Sequence, residues 1–119
     1  MTTTVTFDAA TLRRGIEQRD STALLSLYAE DAELSFVDHQ AQPSKPRIIL
    51  GRDAIGAYFD DVCGRDMTHH VDRLVVGDDT AAYLETCVYP DGAKVLCASV
   101  LDLDRGLITR QAGVQAWDE

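Results

Sequence analysis

No stretch of this 119-residue chain approaches the ~20 consecutive apolar residues of a membrane-spanning helix. Basic residues are scarce as well. Eleven Lys and Arg stand against 20 Asp and Glu, a formal net charge of -9. Nucleic acid and anionic membrane surfaces are therefore not expected partners, because both demand a basic footprint. The acidity does not by itself make a ligand cationic. From Met1 to Phe7 there is neither a basic region nor an apolar core. No signal peptide is read there, and a cytoplasmic home is expected. Cysteine is limited to Cys63, Cys87 and Cys97, without CxxC spacing. These read as small buried hydrophobes and not as a disulfide framework or a metal motif. Internal repeats, low-complexity tracts and linkers are missing too.

What remains is the composition of an ordinary globular chain, 45% hydrophobic and of one domain's length, so residues 1–119 are read as one domain. Asp8 is placed to cap a first helix over about Ala9 to Arg19, with Leu12 and Ile16 on one face. Asp20 and Ser21 restart the chain into a second short helix ending at Tyr28. Ala32, Leu34 and Phe36 then alternate with polar residues, which marks a strand with one buried face. His39 to Pro46 carries two prolines and reads as a loop at a pocket rim. A third helix spans Gly51 to Asp61, with Ile55, Tyr58, Phe59 and Val62 as its apolar face. From Met67 onward four strand-like runs are separated by turns at Gly77, at Asp91-Gly92 and at Asp104-Arg105-Gly106. Helices first and strands afterwards give an α+β fold with an antiparallel sheet.

Four segments in this order carry a resemblance: LYAEDAELSF (27–36), GRDAI (51–55), VVGDDTAAY (75–83) and GLITRQAGVQAWD (106–118). Together they resemble the nuclear transport factor 2-like superfamily, in its SnoaL-like and ketosteroid isomerase-like branch. The resemblance implies a cystatin-like α+β cone, with three helices closing a strongly curved, mainly antiparallel sheet around one hydrophobic pocket. It also implies a homodimer through the outer sheet face. Matched to the family, Leu84, Thr86 and Val88 would line the cone, while Tyr83, Glu85, Cys87 and Tyr89 would face the partner subunit. The isomerase branch needs a carboxylate base and two oxyanion donors. In this chain those positions fall on Phe36, Leu12 and Leu101, all apolar, so a steroid isomerase mechanism is not expected.

Other groups remain for chemistry. Asp38 lies two residues beyond Phe36 and reads either as a general base or as a loop-capping aspartate. His69 and His70 are adjacent on a strand, so only one can enter the pocket. Leu74, Val75 and Val76 do not alternate cleanly, so which one enters stays open; phase with Leu74 and Val76 favours His70 as the proton-transfer partner of Asp38, with His69 as a lining residue. With one inward histidine, no metal site is read. Tyr28 reads as a floor residue or a core tyrosine, and Phe59 as lining or packing. Thr109, Gln111, Gly113, Gln115 and Trp117 share one face of the last strand, and the family match turns that face inward. Two glutamines there would need partners, from a polar ligand or water. Ser99 flanks them without a relay to make it a nucleophile. Arg73, Arg110 and Glu85 read as outer-face cross-strand pairs. The leading expectation is a cofactor-independent pocket protein for an apolar, polyketide- or terpenoid-like molecule, acting by isomerisation, cyclisation or dehydration. The alternative is a non-catalytic ligand-binding or dimerisation module.

Overall fold

The computed structural model of the protein describes residues 6–118. The start of the chain, where no signal peptide is read, lies outside this range except for Thr6 and Phe7. Asp8 caps α1 (Ala9–Glu17), its carboxylate accepting the Thr11 N–H at 3.0 Å and the Thr11 hydroxyl at 2.6 Å. Asp20 does the same for α2 (Ser21–Leu25), accepting the Ala23 N–H at 3.1 Å. Both aspartates satisfy donors that a helix start leaves unpaired.

β1 (Tyr28–Val37) follows two residues after α2. Tyr28 therefore opens a strand instead of closing a helix, as the sequence suggested. Beyond the proline-bearing loop the chain forms β2 (Arg47–Leu50), an edge strand in a stretch where the sequence pointed to no element. Gly51 turns with φ of 85°, a conformation that favours glycine, and starts α3 (Arg52–Cys63). The meander then runs through β3 (Thr68–Val76), β4 (Thr80–Val88), β5 (Lys94–Asp104) and β6 (Leu107–Trp117).

Six strands form one sheet in the order β2-β1-β6-β5-β4-β3, antiparallel throughout except for the parallel β1–β6 pair. The sheet is curved and open, and the three helices close it into the expected cone. The floor of the cone is packed by Leu12, Ile55, Leu101 and Ile108, each at most 1% exposed. A smaller cluster of Met67, Cys87 and Val95 sits apart from it, backed by Tyr89, Cys97 and Trp117.

Two register shifts decide which side chains face inward. In β3 the pairing steps from Val71↔Glu85 to Arg73↔Leu84, so Asp72 is an extra residue. In β6 it steps from Arg110 to Ile108, so Thr109 is extra and leaves the inward row that the sequence assigned it. Bulges bend and twist a strand, which suits a sheet that must curl. β3 is also an edge strand, so the outward backbone groups of Val71 need partners from outside the sheet. Glu17 accepts the Val71 N–H at 3.0 Å and Arg13 donates to the Val71 carbonyl at 3.1 Å, so α1 covers that edge.

Candidate functional site

Strands β4, β5 and β6 present Tyr83, Glu85, Cys87, then Cys97, Ser99, then Gln111, Gln115 and Trp117 to the interior. With Tyr28 and Phe36 from β1 and Tyr58 and Phe59 from α3, they line a cavity of about 360 Å³. That is within the size range of small-molecule sites.

The phase of β4 is the reverse of the expected one. Tyr83, Glu85, Cys87 and Tyr89 line the cavity, and Leu84 is 38% exposed on the outer face. Both faces of this strand carry apolar residues, so alternation alone could not choose between them. A buried carboxylate is also a costly assignment, unless it is paired. Glu85 is paired: its Oε2 lies 2.8 Å from His69 Nδ1, and the two side chains are 12% and 6% exposed. Cys87 Sγ lies 3.2 Å from both of those atoms. His69 Nε2 is buried with no hydrogen-bond partner among the described residues.

His70 is therefore not the pocket histidine. Its side chain is 69% exposed and its Nδ1 lies 3.1 Å from Glu17 Oε2. The Asp72 bulge separates His70 from Leu74 and Val76, so their phase does not carry back to it. A one-residue insertion flips every side chain beyond it, so Leu74 shares a face with His69 and Val71 instead. Asp38 lines the cavity, but its carboxylate accepts the Gln40 N–H at 2.8 Å, and its backbone pairs with Ala41. It terminates the strand as a loop cap, and no hydrogen bond joins it to a histidine among the described residues. The anticipated Asp38–His70 pair is not assembled. Glu85 likewise makes no outer-face pair; Arg110 instead bonds Glu33 at 3.1 Å.

The remaining expected residues all line the cavity. Gln111, 5% exposed, is the hub of its floor. Its Oε1 accepts the Tyr28 hydroxyl, and its Nε2 donates to Tyr83 Oη at 3.1 Å and Ser99 Oγ at 3.2 Å. The glutamine's requirement for partners is thus met from within. Gly113 allows this closeness, since a Cβ there would stand 3.1 Å from Ser99 Oγ. Near the rim, Trp117 packs on His39 at 4.4 Å and on Tyr89 at 5.8 Å between ring centres. The Arg47 guanidinium lies 5.4 Å from the Phe36 ring and 5.6 Å from the Tyr58 ring.

Burial pushes the Tyr28 hydroxyl well above its ordinary pKa, and burial with the Glu85 carboxylate does the same to Tyr83. Tyr58 is raised to about 12, again chiefly by burial. These hydroxyls stay protonated at any physiological pH and can donate. The Cys97 side chain, burial and Glu85 hold the Cys87 thiol well above the usual range, so it too is a neutral donor. Glu85 and Cys87 were not expected in the pocket, because the family match turned both toward the partner subunit.

A family model described as a SnoaL-like domain matches residues 9–111. Comparison with curated protein sequences yields no match. Among solved structures, an NTF2-like protein of unknown function from Mesorhizobium loti superposes with a TM-score of 0.77 at 19% identity, covering 90% of this chain and 88% of that one. A candidate ketosteroid isomerase from Kribbella flavida gives 0.70 at 21% identity, covering 93% and 75%. A computationally designed 17-OHP binder gives 0.67 at 20% identity, covering 88% and 87%. At these identities the likeness is one of fold. No helix of the described residues is long and apolar enough to cross a membrane.

Proposed function

The chain belongs to the SnoaL-like domain family, and on that premise we propose that its cone binds a small, mostly apolar molecule and moves a proton on it through His69 and Glu85. The observation that carries this reading is the buried His69–Glu85 pair at 2.8 Å in the wall of the cavity. Glu85 accepts the Nδ1 proton, which fixes the imidazole tautomer with its lone pair on Nε2. That nitrogen has no competing hydrogen bond among the described residues. It takes a proton from an acidic C–H of the ligand, and the imidazolium so formed rests against the Glu85 carboxylate. Return of the proton to another carbon isomerises the ligand; loss of a neighbouring hydroxyl as water dehydrates it. Protonated Tyr58 and Tyr83 supply donors for the oxygen on which charge develops. The roles first sought in Asp38 and His70 pass to Glu85 and His69.

Deuterium uptake from D2O by a panel of apolar cyclic ketones, followed by NMR, tests this directly. Uptake is expected to exceed that in buffer, and His69→Ala to lower it by roughly 10²–10⁴-fold, the usual contribution of a general base. His70→Ala serves as the folded control and leaves it unchanged. Equal uptake in His69→Ala and the parent protein refutes the base assignment.

A non-catalytic binding module is the second reading. It is favoured by the floor, where Tyr28, Gln111, Ser99 and Tyr83 already satisfy one another, and by apolar Leu12, Phe36 and Leu101 at the isomerase positions. Ligand binding without any uptake in the parent protein selects it. In either case we propose a homodimer through the outer sheet face. Val75, Leu84, Leu96, Val100 and Val114 are 38–63% exposed there, and such a patch is uncommon on a lone subunit. Val100→Lys is expected to shift sedimentation from dimer to monomer; a parent protein that sediments as a monomer rules the dimer out. The three unpaired cysteines fit a reducing, cytoplasmic setting.

A further inference from the structure

The geometry points to a second use of the same wall: His69 Nδ1, Glu85 Oε2 and Cys87 Sγ form a site for a divalent ion of the zinc type. The three atoms make a triangle with sides of 2.8, 3.2 and 3.2 Å. In a tetrahedral zinc site, bonds of ~2.0–2.3 Å set neighbouring ligand atoms roughly 3.3–3.7 Å apart. Opening the triangle by about half an ångström therefore admits the ion, which would sit just off its plane.

The positions are fixed by the sheet and not by a loop. Glu85 and Cys87 are alternate residues of β4, and His69 is the cross-strand partner of Cys87 in β3. Their side chains point the same way because the Asp72 bulge lies beyond them. Thiolate with imidazole and one carboxylate selects zinc-like ions over magnesium or calcium, which prefer all-oxygen sites. Cys97 is paired with Glu85 across β5, on the same face. With three protein ligands, a water completes the tetrahedron. On binding, the Cys87 thiol proton passes to solvent and the His69 proton moves from Nδ1 to Nε2. The ion then holds the Nδ1 lone pair that the proton-transfer reading leaves to a proton. The two occupants exclude each other, so the ion site does not rest on that reading, and zinc inhibits any base activity of His69.

Titration of the chelator-stripped, reduced protein with Co2+ tests the site. A thiolate-to-cobalt charge-transfer band is expected, saturating at about one ion per chain, with one proton released per ion and displacement by Zn2+. Cys87→Ser abolishes the band, Cys63→Ser retains it, and Glu85→Gln weakens binding at least tenfold. Circular dichroism establishes that each variant is folded. Glu85→Gln, nearly isosteric, stands in should Cys87→Ser not fold. No thiolate band in the parent protein, or an undiminished band in both variants, overturns the site. The deuterium-uptake assay is run with chelator present, so failure of the ion site leaves the base assignment standing, and the reverse.

Discussion

Replacing Gln111 with Leu removes the hub of the cavity floor, and the structure sets the size of the loss. The Tyr28 hydroxyl, on a residue 2% exposed, loses its acceptor. A buried polar group left without a partner costs about 1–3 kcal/mol. Tyr83 and Ser99 each lose the Gln111 amide as a donor, and because both side chains line the cavity the further loss is that of an ordinary net hydrogen bond, about 0.5–1.5 kcal/mol. The expected destabilisation is therefore roughly 2–4 kcal/mol, read from urea unfolding followed by circular dichroism. A double-mutant cycle isolates the reason. Tyr28→Phe alone strands Gln111 Oε1, at a cost of about 1–2 kcal/mol. With both changes neither side of the Tyr28–Gln111 bond is stranded, so the double variant should be more stable than the sum of the singles by roughly 1–2 kcal/mol, well outside the spread for independent sites. Additivity within about 0.5 kcal/mol would mean that cavity water replaces the lost partner. That result would refute the view of the floor as a closed network.

Three more outcomes follow from the same structure. Tyr28, Tyr58 and Tyr83 have raised pKa values; unfolded tyrosine ionises near 10, so the stability they confer is complete below about pH 10 and is lost as pH rises through their folded values. Phenolate absorbance should show these three ionising together with alkaline unfolding; ionisation of all of them well before unfolding contradicts their burial. The Asp8 carboxyl is held below its ordinary range by its bonds to Thr11. Its capping contribution is present above about pH 4 and lost as pH falls through the lowered value, so Asp8→Ala should destabilise the protein at pH 7 and matter progressively less in acid, measured by urea unfolding at each pH. Gly113→Val should cost about 1–3 kcal/mol by overpacking against Ser99 and Phe36 and abolish ligand-induced thermal shifts, since the new side chain enters the cavity; an unchanged shift would place the ligand elsewhere.

Much of the fold was legible because local chemistry and global fold agree. Asp8 and Asp20 cap where capping residues are wanted, β5 alternates cleanly through Val95, Cys97, Ser99 and Leu101, and the last strand turns Gln111, Gln115 and Trp117 inward as read. β2 escaped notice because its four residues, Arg47 to Leu50, follow directly on a proline loop, and only Ile49 is buried. The site was harder to see for two physical reasons. A bulge carries no periodic signature, so the phase of Leu74 passed to the wrong histidine. Burial of Glu85 makes sense only once His69 and Cys87 are known to meet it, and they are 16 and 2 residues away in sequence. Local rules fail most readily at such places, where function and burial conflict.

If ligands enter the cone, the alternation of β4, β5 and β6 provides an internal control. Neighbouring amides belong to side chains on opposite faces: Tyr83, Cys97 and Gln115 inward, Leu84, Leu96 and Val100 outward. In an NMR titration with a compound that raises the melting temperature, side-chain and amide shifts should concentrate on the first set and on His69. Shifts confined to the second set, or spread equally over both faces, would show that the ligand does not bind in the cone.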